Sequence, residues 1–280
     1  MPGIRVVTDS SSDLPPDLVS TFGIEIVPLT IRFGDEEFVD VRDLSPDQFW
    51  ERCHKSARLP ETAAPAPGAF REAFLGAAED GMDGVVCITI SSGLSATHQA
   101  ASASLIGDDL PIPVSVIDSR YVTLAQGFVV LAAAEAAASG LPLDKVVDAT
   151  REVIERVSAF ATLDTLDNLR KGGRIGGAQA LLGSMLAIKP VIQLVDGVVE
   201  PESRQRTRSK ALTHLIEATK ARGTPERLGI AHGAASDVGR YLDQVNDAFP
   251  GIDVVISEMG AVLGTHVGHG AVALVARLAP

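Results

Sequence analysis

The chain has 280 residues, of which 46% are apolar and 21% charged, a balance that fits a folded globular protein and excludes a disordered one. Lys and Arg number 24 against 36 Asp and Glu, and the resulting net charge of −12 argues against general nucleic-acid binding. Two cysteines, Cys53 and Cys87, make neither a disulfide framework nor a zinc site, no export-type leader opens the chain, and the small-apolar run 128–138 is interrupted by Glu135, so the expectation is a soluble cytoplasmic protein.

In chain order, the β-branched run 4–8 predicts a strand, followed by a Ser/Asp cap and a helix from about Pro15. Residues 24–33 read as extended, with Gly34-Asp35 as the turn. Helical periods follow at about 45–56 and 68–80, then a strand at 84–90 and a helix at about 94–105. A buried strand at 114–117 ends in Asp118-Ser119, and the Ala-rich stretch 124–138 predicts a helix. After a helix over 142–157, the second half reads as a strand at 159–163, a short helix at 165–171 closed by Gly172-Gly173, and an apolar helix at 175–186. The runs 190–194 and 198–200 flank Asp196-Gly197, a hairpin signal. A helix near 208–221, a strand at 228–231, a helix at 236–248 and a strand at 253–257 form another α/β unit.

Strand–helix alternation at this spacing implies parallel βαβ units and an α/β fold, in which ligands sit beyond the carboxyl ends of the strands. Asp9–Ser12, Ser91–Ser95 and Asp118-Ser119 all fall at such ends. Ser91 and Ser92, followed by Gly93 and a helix start, make an anion site of hydroxyls and unpaired N–H groups, or else ordinary helix caps. His266 lies among glycines, where an imidazole can meet an anion. Its neighbour His269 completes a His-x-x-His pair, but no carboxylate or cysteine stands near in sequence, so no metal is assigned. The segment 168–222 carries ten basic and four acidic side chains, an island of +6 on a remainder of −18. It suits either recognition of an anion or acidic partner, or a solvated face with internal ion pairs.

The segments 4–13, 88–101 and 260–270, with Thr62 and Asn168-Leu-Arg-Lys-Gly-Gly-Arg174, resemble the DegV family of fatty-acid-binding proteins nearly end to end. That resemblance implies two α/β domains, residues 1–158 and 159–280, with a ligand tunnel between them. It implies a long-chain fatty acid as ligand, its carboxylate held by Thr62, Ser91, Ser92 and His266, with Asp9 and Ser10–Ser12 building the pocket floor. Arg170, Arg174, Arg204, Arg206 and Arg208 would serve the head group or dock a partner. That partner would be a separate ATP-binding kinase subunit that phosphorylates the carboxylate for phospholipid metabolism, with transient membrane contact and no cofactor beyond the bound acid. Consistent with this, the chain has neither a P-loop motif nor a dinucleotide fingerprint. At Ala63 and Ala64 and at His269 the sequence departs from the family pattern. Apolar residues expected along the tail are Leu29, Ile31, Phe33, Leu163, Leu166, Met185, Leu186 and Ile188. The alternatives are an acyl-ester hydrolase using Ser92 and His266, and a phosphotransfer module loaded on His266.

Overall fold

The computed structural model describes residues 3–56, 58–107, 109–182 and 188–280. Its first half runs β1 (Ile4–Asp9), α1 (Pro16–Phe22), β2 (Glu25–Val27), β3 (Thr30–Phe33), β4 (Glu36–Val39), α2 (Pro46–Lys55), β5 (Glu61–Ala63), α3 (Pro67–Glu79), β6 (Gly84–Thr89), α4 (Thr97–Ala103), β7 (Val114–Asp118) and α5 (Thr123–Ala138). Its second half runs α6 (Leu143–Ile154), β8 (Val157–Thr162), α7 (Asp167–Lys171), β9 (Lys189–Val195), β10 (Val198–Gln205), α8 (Arg208–Arg222), β11 (Pro225–His232), α9 (Val238–Ala248), β12 (Val254–Glu258), α10 (Ala261–Val267) and β13 (Val272–Leu278).

The α/β reading holds. β2-β1-β6-β7 form an all-parallel sheet, and every residue of β6 is buried, as a strand covered on both faces must be. β10-β9-β8-β13-β11-β12 form a second, mixed sheet in which only β11 and β12 pair in parallel. A small antiparallel sheet, β4-β3-β5, stands beside them. The strands of the parallel sheet end by Asp118 and those of the mixed sheet begin at Val157. On that segregation we propose two domains that divide ahead of β8, at 156/157 and not at 158/159, since Val157 and Ser158 already pair with β13.

α5 joins the two halves. It is apolar all round and buried without a break from Thr123 to Ala134, so it needs cover on every side. It packs against β1 and β6 on one side and β8, β11 and β13 on the other. Two glycines permit the close approach: a Cβ at Gly229 would lie 2.9 Å from Phe128, and one at Gly127 would lie 2.9 Å from Leu14.

Several expectations give way. The extended run 24–33 splits between two sheets at Pro28, which lacks an N–H for the ladder. The helix expected over 94–105 starts only at Thr97, leaving Ser91–Ala96 as a turn. The helix expected over 175–186 is a 3₁₀ segment, Gly176–Leu181, and residues 183–187 lie outside the described residues. Its glycines lie flat on β10, since side chains at Gly176 and Gly177 would run into the Val199 carbonyl oxygen and the Glu200 carboxylate. α10 and β13 had no counterpart in the sequence reading. Among the described residues no helix is long and apolar enough to cross a membrane.

Candidate functional site

Where α5 begins, at Val122 and Thr123, a cavity of about 270 Å³ opens between the sheets. Small side chains on the strands make its floor: Ala159 and Ala161 on β8, and Ala273 on β13. Leu163, Ile192, Leu194 and Val199 add to the same side, and Leu29, Ile90, Leu94, Val262, Leu263 and Val267 close the other. Of the expected tail residues, Leu29 and Leu163 line it. Ile31 and Phe33 belong instead to the cluster around Phe49, Leu166 is packed in the core, and Ile188 does not line the cavity. Met185 and Leu186 lie outside the described residues.

Polar groups gather at one end. Thr62, on β5, and His266, in the last turn of α10, come from positions 204 residues apart and meet with Thr62 Oγ1 3.1 Å from His266 Nε2. Burial, and then the nearby Arg174 guanidinium, push the imidazole down to about 4, so His266 is neutral near pH 7. Its Nδ1 is buried without a partner. A neutral imidazole with one free nitrogen, beside a hydroxyl, can donate to a carboxylate through whichever nitrogen carries the proton.

Ser95 also lines this cavity, its Oγ 2.8 Å from Thr97 Oγ1 and accepting the Thr97 N–H at 3.3 Å. Sequence reasoning favoured Ser91 and Ser92 instead, and neither lines the cavity. Ser91 is buried and donates to the Gly197 carbonyl at 2.6 Å, pinning the β9–β10 turn, and the exposed Ser92 donates to Asp118. The signal missed was the hydroxyl two residues before the true helix start, Thr97.

The five arginines do not converge. Arg174 alone reaches the cavity, where its Nε donates to Leu94 O at 3.1 Å and its Nη1 to Gly172 O at 2.5 Å. Arg170 is exposed and pairs loosely with Asp167, Arg204 donates to Ala180 O, and Arg206 is exposed. Arg208 is committed to a two-pronged bond with Asp237, at 2.7 and 2.8 Å, that ties α8 to the start of α9. Arg208 thus makes an internal ion pair in this fold. His269 is exposed and packs its ring on Trp50 and His54, and among the described residues no group of three His, Cys, Asp or Glu could hold a metal ion.

Beyond the Thr62–His266 pair lies a polar outer cleft of about 570 Å³, to which Arg58, Lys171, Arg174, Asn168 and one acid, Glu61, contribute. The pair thus stands between an oily slot and a cationic vestibule. Gly172 makes this placement possible, because a Cβ there would sit 2.5 Å from His266 Nδ1. Gly172→Ala should drive the His266 ring off Thr62 and, through overpacking, cost about 1–3 kcal/mol of stability. A denaturation midpoint unchanged in that variant would refute the placement.

Relatives of this chain share its length and its fold. A family model described as "Uncharacterised protein, DegV family" matches residues 3–278. A DegV domain-containing protein of Streptomyces coelicolor, SCO2569, is 41% identical over 276 residues, covering 97% of each chain. Another, Mb2440c of Mycobacterium bovis, is 39% identical over 276 residues, covering 96% of this chain and 95% of its own. Among solved structures, a DegV family protein of Thermus thermophilus described for its fatty acid binding superposes with a TM-score of 0.91 at 31% identity, covering 99% of this chain and all of its own. DegV of Bacillus subtilis, described as a fatty acid binding protein, gives a TM-score of 0.89 at 31% identity, covering 98% and 99%. With a family model matching nearly its whole length and a 41% identical relative, this chain belongs to the DegV family.

Proposed function

We propose that this chain binds a long-chain fatty acid, with the alkyl chain in the cavity floored by Ala159, Ala161 and Ala273. The carboxylate then meets Thr62, Ser95 and His266, with Arg174 at the rim. The observation that carries this reading is the hydroxyl–imidazole pair standing between an apolar slot and a cleft edged by Arg58, Lys171 and Arg174. At ~0.8 kcal/mol per buried CH₂, a sixteen-carbon chain gains on the order of 12 kcal/mol gross. Lost translational freedom and desolvation of the head group take back much of it. Neutral donors suffice to orient the head group without burying a lone counter-charge.

In this reading the protein does no chemistry alone. It carries the acid in the cytoplasm and presents the carboxylate to a separate ATP-binding kinase subunit, which forms the acyl phosphate for phospholipid synthesis. The cationic cleft gives a phosphoryl group a place to form, since charge-assisted bonds from arginine and lysine suit its oxygens. Brief contact with a membrane would supply the acid. The hydrolase alternative lacks its dyad: His266 bonds Thr62, while Ser92 bonds Asp118.

Native mass spectrometry of delipidated protein mixed with palmitic acid should show one retained molecule per chain, with Thr62→Val retaining it several-fold less tightly. No retention at micromolar concentration would end the proposal.

A further inference from the structure

Two imidazoles outside the cavity have no part in the function above. His54, in the last turn of α2, and His269, in the turn between α10 and β13, are both exposed, with their ring centres 5.5 Å apart. His269 also stands edge-to-face with Trp50, again 5.5 Å between ring centres. Trp50 and His54 are one turn apart on α2, so His269 lies across one face of that helix. Position 269 is one of those at which the chain departs from the family pattern.

The ring nitrogens of this pair are not spoken for. Of the six histidines, His98 bonds Thr89, His214 is held by Glu202 and Glu217, His266 bonds Thr62, and His232 has one nitrogen buried. Among the described residues no hydrogen bond or ion pair takes a nitrogen of His54 or His269. Trp50 offers them nothing, since its own Nε1 is buried without a partner. The cations that flank His54 on α2 are already engaged, Arg52 by Glu36 and Lys55 by Glu51.

Their separation is that of a chelate. An imidazole nitrogen bonds zinc at about 2.0–2.1 Å, which puts two imidazoles on one tetrahedral ion with their ring centres about 5.2 Å apart. The observed 5.5 Å lies within a few tenths of an ångström of that. Turning a nitrogen of each ring toward the shared point takes rotation about χ2, a broad torsion for imidazole, in two exposed side chains.

We propose that His54 and His269 form a two-point site for a divalent transition-metal ion, which clamps α2 to the turn after α10. Imidazole ligands suit Cu²⁺, Ni²⁺ and Zn²⁺, and of these Cu²⁺ binds most tightly. Among the described residues no group of three ligating side chains forms, so two imidazoles hold the ion and water completes its shell. Binding requires both rings to be neutral, so the ion competes with protons and is released on acidification. Trp50 packs closely on α10, where a Cβ at Gly264 would lie 3.0 Å from its ring, so the clamp steadies the helix that carries His266. The site does not depend on the lipid-binding reading.

Trp50 is the only tryptophan of the chain, so its fluorescence reports on this site. Titrating Cu²⁺ into the full chain, freed of metal with a chelator, should quench that fluorescence at one equivalent. An excess of Ni²⁺ should raise the melting temperature, as any ligand of the folded state does. His54→Phe and His269→Phe each keep a ring in place and remove its ligating nitrogens. Each should weaken Cu²⁺ binding at least about tenfold and abolish the Ni²⁺ effect. His54→Ala, at an exposed position of α2, serves if a phenylalanine variant fails to fold. An unquenched wild type, a wild-type melting temperature unmoved by Ni²⁺, or a wild-type Cu²⁺ constant persisting in either folded variant overturns the proposal.

Discussion

Replacing Ala161 by Phe should abolish retention of long-chain acids, weakening palmitic acid binding by at least about a hundredfold, while leaving the protein folded. Ala161 lines the cavity from β8, between its cross-strand partners Ala273 on β13 and Ile192 on β9. A phenyl ring there enters space that the bare fold leaves open, so the overpacking that costs about 1–3 kcal/mol in a filled core is largely avoided. The ligand, however, loses room for several methylenes at ~0.8 kcal/mol each, and a loss near 2.7 kcal/mol already gives a hundredfold. Titration of the delipidated variant, with its melting curve as control, decides the point. An unaltered affinity would mean that the acyl chain does not run along β8.

Asp9→Ala should be the more damaging change to stability. The Asp9 carboxylate is fully buried, and it accepts the Ile90 N–H at 2.7 Å, the Ser11 N–H at 3.1 Å and the Ser11 hydroxyl. That hydroxyl also reaches Gln126 on α5, whose amide donates to Thr8, so one network locks the end of β1 to the joining helix. Alanine orphans two buried N–H donors, each costing about 1–3 kcal/mol, so unfolding by denaturant should show a loss of roughly 2–5 kcal/mol. Burial holds this carboxyl above its ordinary range, so part of its worth as an acceptor is spent on desolvation. Asp9→Asn keeps one oxygen acceptor and should lose less than alanine. Ile90 borders the cavity on the side facing the alanine floor, and the motif reaches the cavity through the Ile90 backbone alone. An alanine variant as stable as wild type would show the network to be incidental.

Elements whose signals are local were legible in the sequence. Asp196-Gly197 specified the β9–β10 hairpin because both residues take positive φ, 49° and 81°, as a tight primed turn demands. α2 falls within the expected 45–56, and the structure shows Ser45 and Gln48 capping it reciprocally. β6 declared itself by an unbroken apolar run. What was lost depended on contacts far apart in the chain. α10 hid inside a glycine-rich stretch, where Gly264 serves packing against Phe49 and Trp50. Ser91 and Ser92 looked like anion ligands because their hydroxyls are local, while Gly197 and Asp118, which engage them, lie 106 and 26 residues away. The arginine cluster reads as one patch in sequence, yet Arg208 turns inward to Asp237 and Arg174 outward to the cavity mouth.

A crystal structure of the chain with palmitic acid bears most directly on the central claim. It should show the carboxylate within hydrogen-bonding distance of Thr62 and His266, with methylenes running past Leu163 and Ala161. An empty slot under saturating acid, or a head group bound elsewhere, would contradict it.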